Sequence, residues 1–150
     1  MALKAQLNND LKAALLGGDR FRTEVLRSLK AVILNEEVSQ GKREEGLDDT
    51  TVETLIVREV KKRADSATQY AAAGRPELVE AEQSESKIIE AYLPEQLSEA
   101  DIQKAVDEII ASTGAAGPQA MGQTIGAVKA KLGNSADGGT IARLVKASLV

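Results

Sequence analysis

The sequence predicts an all-α fold: a helical first part of about four helices, then a small three-helix second part. Three observations carry this. Apolar residues recur every three or four positions along most of the chain, and strand-like alternation is absent. Aromatic residues make up only 2% (Phe21, Tyr70 and Tyr92), so the core must be built from Leu, Ile, Val and Ala. The periodic stretches are also separated by Gly, Pro or capping residues, as helices usually are.

Leu3, Leu7, Leu11 and Leu15 form the stripe of the first helix, which Gly17-Gly18 stops. Asp19 is placed to cap a second helix carrying Val25, Leu26, Leu29, Ile33 and Val38, ending near Gly41. The polar segment from Gly41 to Asp49, with two glycines, reads as an exposed loop. A third helix is expected from Asp49-Thr50, because Thr50 and Glu53 have capping-box spacing. Its apolar face is Val52, Leu55, Ile56, Val60, Ala64, Ala67 and Tyr70-Ala71, and Gly74 ends it. Pro76 opens a fourth helix with Leu78, Ala81, Ile88, Ile89 and Tyr92. Pro94 ends it, since the residue before proline is driven out of the α region.

The second part restarts at Ser98, which has Asp101 at capping-box spacing and Ile102, Val106, Ile109 and Ile110 on one face. Ser112 to Gly117 is a loop of small residues. Pro118 is placed as the first residue of a sixth helix bearing Met121, Ile125, Val128 and Leu132. After Gly133–Ser135, Asp137 caps a seventh helix with Ile141, Leu144, Val145 and Leu149. The expected organisation is residues 1–93, a hinge at 94–97, and residues 98–150.

Composition narrows the chemistry. With 150 residues the chain is long enough to bury roughly 70% of its unfolded surface. It has no Cys and no His, so disulfides, thiol nucleophiles and imidazole bases or ligands are all excluded. No apolar run approaches the roughly 20 residues that span a bilayer. Met1-Ala2-Leu3-Lys4 lacks the basic-then-apolar pattern of a signal peptide. The expectation is a soluble cytoplasmic protein with no membrane role, no metal and no small-molecule cofactor. Formal charge is −4; residues 1–97 hold 14 basic and 18 acidic side chains, and residues 98–150 hold 5 of each.

Candidate chemistry is sparse. Ser28 and Lys30, two apart on a helix, point away from each other and make no nucleophile–base pair. Glu77, Glu80, Glu82 and Glu85 read as a solvated helix face, with Glu82 and Glu85 turned partly toward an arginine on a neighbouring helix. The glycine-rich stretches at 114–117 and 133–139 follow no strand and lack the phosphate-loop pattern. Two basic clusters remain. One is Arg58, Lys61, Lys62 and Arg63 on the third helix. The other is Lys129, Lys131, Arg143 and Lys146 on the last two helices, which antiparallel packing would draw together. Such cations suit phosphate-backbone contact, which needs point charges and no base code. They equally suit helix C-termini and solubility.

Several segments occur in a set order. They are Asp10-Leu11-Lys12, Arg27-Ser28-Leu29-Lys30-Ala31 and Asn35-Glu36-Glu37, then Lys61-Lys62-Arg63-Ala64-Asp65-Ser66, Tyr70, Gly74-Arg75 and Glu82. The most specific is Tyr92-Leu93-Pro94-Glu95-Gln96-Leu97-Ser98. Met121-Gly122, Lys131, Gly133, Ala136-Asp137-Gly138 and Val145-Lys146 follow. Over essentially its whole length the chain resembles the YqeY-type proteins, stand-alone relatives of the tail of the GatB subunit of Glu-tRNA(Gln)/Asp-tRNA(Asn) amidotransferase. The resemblance implies a helical body with a small helical tail domain akin to a tRNA-contacting module. Asp137 then reads as a helix cap, and Gly122 and Gly126 as places where helix backbones approach closely. A family-level association with carbon–nitrogen ligase activity, glutamine being the amide donor, comes with it, though no residue pattern supplies a catalytic site. The expected role is a non-catalytic adaptor binding tRNA or a tRNA-processing partner such as the amidotransferase. Lys129, Lys131, Arg143 and Lys146 would be its phosphate-facing residues. The alternative is a protein–protein interaction module using the Ala/Leu faces of the first part.

Overall fold

A computed structural model describes residues 2–150, and every regular element among them is helical. The chain divides into two compact units between Leu93 and Pro94.

In the first unit, α1 (Ala2–Leu16), α2 (Arg20–Ser39), α3 (Asp49–Ala72) and α4 (Pro76–Glu90) follow one another. Short turns join α1 to α2 and α3 to α4, so each pair packs side by side and antiparallel. Gly18, at φ 72°, makes the first of these turns. The Asp19 carboxylate then accepts the Arg22 backbone N–H at 3.0 Å and starts α2. The core joins Leu3, Leu7 and Leu11 to Val25, Leu26, Leu29 and Ile33, and both sets to Val52, Leu55, Ile56, Ile89 and Tyr92. Each fully buried Leu or Ile contributes about 2–3 kcal/mol by leaving water.

In the second unit, α5 (Glu99–Thr113), α6 (Met121–Leu132) and α7 (Gly138–Ser148) enclose their own core of Ile102, Val106, Val128, Ile141, Leu144, Val145 and Leu149. Ser98 and Asp137 cap α5 and α7, accepting backbone N–H groups of Asp101 (3.2 Å) and Thr140 (2.8 Å). The segment entering this unit is tied to the α6–α7 connection. The Leu97 N–H donates to the Ser135 carbonyl at 2.8 Å, and Gln96 Nε2 to the Asn134 carbonyl at 2.9 Å.

Five local expectations change. Leu15 is about half exposed and Ala14 is buried instead. Twelve residues along a helix, Leu15 has drifted about 120° from Leu3, whereas Ala14 has drifted only about 20°. The 41–49 segment is not wholly exposed, since Leu47 is 1% accessible and sits in the core. Asp48, not Thr50, caps α3, its carboxylate accepting the Thr51 N–H at 2.8 Å. Pro118 opens a short 3-10 turn, Pro118–Ala120, and α6 begins at Met121. Gly122 and Gly126 are exposed, and a methyl added at either would touch nothing within 4 Å, so no backbone approaches there.

Candidate nucleic-acid interface

The four tail cations lie on adjoining helices. Lys129 and Lys131 belong to the last turn of α6, Lys146 to the last turn of α7, and Arg143 to the body of α7. A cation in a last turn faces unpaired carbonyls and the negative end of the helix dipole, which accounts for three of the four locally. All four side chains are exposed.

The four do not form one cluster. Lys131 Nζ meets Glu108 at 2.6 Å, and Arg143 reaches Glu99 at 2.8 Å. Both acids are on α5, nine residues apart, so their cations are held roughly 13 Å apart along its axis. Lys129 lies instead against Gly138 at the start of α7, its Nζ and Cε 3.5 Å from where a Cβ on that glycine would be. Lys146 forms no ion pair among the described residues. Antiparallel proximity therefore draws Lys131 and Arg143 toward acids of α5 rather than toward each other. Both pairs are about half exposed and contribute little, so phosphate can compete for the cations. The Lys131 hydrogen bond, reinforced by its charge, lowers the Glu108 carboxyl below its ordinary value.

Charge in this unit is segregated by helix. Glu99, Asp101, Asp107 and Glu108 are all on α5, while four of the unit's five basic residues are on α6 and α7.

The most buried ion pairs are in the first unit. Glu37, buried on α2, receives Lys4 Nζ at 2.8 and 2.9 Å. Glu59, also buried, holds Arg63 at 3.0 Å, and Arg63 reaches across to Glu85 on α4 at 3.2 Å. The four-residue spacing of Glu59 and Arg63 was a visible cue, and Glu85 meets the expected arginine. Tyr92 donates its hydroxyl to Asp10 across 82 positions of sequence, which no local pattern signals. Each of these carboxylates already has a structural partner. Among the described residues no group of three or more acidic side chains is placed to hold a metal ion.

A profile of the Yqey-like protein family matches residues 4–149. The chain belongs to that family. Curated relatives carry the name altered inheritance of mitochondria protein 41, mitochondrial. The one from Lachancea thermotolerans is 35% identical over 109 residues, covering 71% of this chain and 57% of the relative. That from Eremothecium gossypii is 35% identical over 89 residues (59% and 48%). One from Saccharomyces cerevisiae is 32% identical over 108 residues (69% and 56%). The chain thus spans about half the length of the curated relatives it matches. Their names overturn the cytoplasmic location expected above. That expectation rested on missing Cys, missing apolar spans and the lack of a secretory signal pattern, features that fit other reducing compartments and do not single out the cytosol.

Proposed function

We propose that this Yqey-like protein is a non-catalytic helical adaptor whose second unit binds tRNA, or a protein that processes tRNA, through Lys129, Lys131, Arg143 and Lys146. The observation that carries this is the segregation of charge: four exposed cations on α6 and α7, with most of the unit's acids confined to α5. A polyanion approaching the α6–α7 side meets cations with only weak competitors. The resemblance to the amidotransferase tail supports the choice of tRNA among polyanions. The adaptor role fits side chains occupied in structural pairs rather than poised for proton transfer or attack.

Fluorescence anisotropy with bulk tRNA at low and moderate salt tests this. Binding should weaken with salt, with a slope for about two to four phosphate contacts, and vanish when all four residues become Ala. No binding at low salt, or undiminished binding by the fourfold variant, refutes it.

A further inference from the structure

The first unit carries a groove that neither its core nor the tail cations explain. It runs between α1 and α2, has a volume of about 360 Å³, and is lined by Lys4, Leu7 and Asn8 on one side and Lys30, Leu34 and Glu37 on the other. Leu7, Ala31, Ile33 and Leu34 supply its apolar lining. Leu34 is 43% and Val38 57% exposed, and with Ala31 they form an i, i+3, i+7 stripe on the outside of α2. A stripe with that spacing is the signature of a helix face that another helix covers.

Charge is distributed unevenly along the groove. At one end Lys4 is neutralised by the buried Glu37. Because α1 and α2 run antiparallel, with Lys4 beside Glu37, Lys12 lies two turns along α1 at about the level of Lys30. Arg27 sits one turn before Lys30 on α2. Lys12, Arg27 and Lys30 are exposed, and none forms an ion pair among the described residues, although Glu24 is one turn from Arg27. Glu36, at the other end, accepts a hydrogen bond from Gln40 at 2.7 Å. Lys30 thus lines the groove at its cationic end, with Lys12 and Arg27 exposed beyond the lining, while Leu7, Ala31 and Leu34 line its apolar stretch and Val38 lies past it on α2.

The α3–α4 groove makes a useful contrast. It is of similar size, about 480 Å³, but Arg63 at its edge is held by Glu59 and Glu85, and Lys87 and Glu90 balance each other in charge. It has no net preference for a charged partner.

We infer that the α1–α2 groove docks an acidic amphipathic helix of a partner protein, its apolar stripe over Leu34 and Val38 and its carboxylates over Lys12, Arg27 and Lys30. A helix is the fitting occupant because ridges at i+3 and i+4 spacing seat between two packed helices. Unpaired cations at one end select acidic side chains there and fix the direction in which the helix lies.

The test uses the whole chain and two synthetic peptides. One is an amphipathic helix with a Leu stripe and Glu in its first two turns. The other is identical except that those Glu are Gln. Anisotropy gives the affinities, and backbone amide chemical shifts locate the site. The acidic peptide should bind with shifts on α1 and α2, and the Gln peptide about tenfold or more weakly. Lys30→Glu and Leu34→Glu should each cause a comparable loss. Both residues are exposed, so helical content and thermal midpoint should stay unchanged, and circular dichroism confirms this. Alanine at all four tail cations should leave peptide binding intact, which separates this site from the RNA surface. Equal affinity for the two peptides overturns the inference, as does binding that survives both groove variants or shifts confined to other helices. So does an absence of binding, or a tRNA-induced shift pattern that maps to this same groove.

Discussion

Replacing Tyr92 by Phe isolates one hydrogen bond that closes the first unit. Tyr92 is 7% exposed, and its hydroxyl donates to Asp10 Oδ2 at 2.5 Å, joining the turn after α4 to α1. A short bond from a neutral donor to a carboxylate in a half-buried place contributes about 1.5–2 kcal/mol, and Phe leaves Asp10 without it. The same contact makes a prediction about pH. Burial, with the Asp10 carboxylate as hydrogen-bond partner and neighbouring charge, pushes the Tyr92 hydroxyl up to about 12. An unfolded tyrosine ionises near pH 10. Between about pH 10 and 12 the unfolded chain therefore releases a proton that the folded chain keeps, and stability falls as pH rises. The contribution is fully present below about pH 10 and lost as pH climbs through about 12. The Phe variant has no such proton to lose. Urea unfolding of both proteins, followed by far-ultraviolet circular dichroism, reads the difference, and titrating lysines cancel between them. The variant should be about 1.5–2 kcal/mol less stable near pH 8, and the gap should shrink to a fraction of that near pH 12. A gap under about 0.3 kcal/mol at pH 8, or one that does not narrow in alkali, refutes this account of Tyr92.

Lys4→Met should cost on the order of 3 kcal/mol, because it strands the buried Glu37 carboxylate without its cation. Adding Glu37→Leu should recover most of that loss in the same unfolding assay, and a double variant as weak as the single one would show that packing, not charge, was responsible. Gly114→Ala should destabilise the second unit by about 1 kcal/mol, since Gly114 ends α5 at φ 67°, where a Cβ is strained. Faster amide exchange confined to α5–α7 would localise the effect, and unchanged exchange would argue against it. Glu99→Gln with Glu108→Gln should release Arg143 and Lys131, tighten tRNA binding several-fold and steepen its salt slope by about two. Unaltered salt dependence would mean that those two cations do not face the RNA.

Most of the fold was legible because it rests on local physics. The caps at Asp19, Ser98 and Asp137 hold the backbone N–H groups their spacing anticipates. Pro76 opens α4, and Gly74 with φ 70° closes the turn before it. What escaped depended on distant contacts. Leu47 sits in a polar, glycine-bearing stretch, and only packing against the other helices of its unit buries it. Tyr92 and Asp10 are joined across 82 positions. Leu15 and Ala14 exchanged places because a four-residue repeat gains about 40° per step on a helix of 3.6 residues per turn. The four tail cations were legible as residue types on the right helices. Their separation was not, because it depends on which acids of α5 each one meets.

Net charge conceals how charge is arranged in the second unit. Five basic side chains nearly cancel six acidic ones in this unit, and a domain with so little net charge makes a poor candidate for a polyanion surface. A binding field depends on how charge is arranged, and this arrangement is not random. α5 holds four of the unit's six acids, and α6 and α7 hold four of its five cations. The two ion pairs, Glu99–Arg143 and Glu108–Lys131, lie along the seams where these helices meet. Lys129 and Lys146 belong to neither pair, so on the proposed reading two cations would act at once and two more would become available when weak surface pairs open. Such a surface would give a polyanion modest affinity with a shallow salt response. That behaviour would suit a tail that orients a polyanion while a partner protein, docked separately in the α1–α2 groove, supplies the specificity.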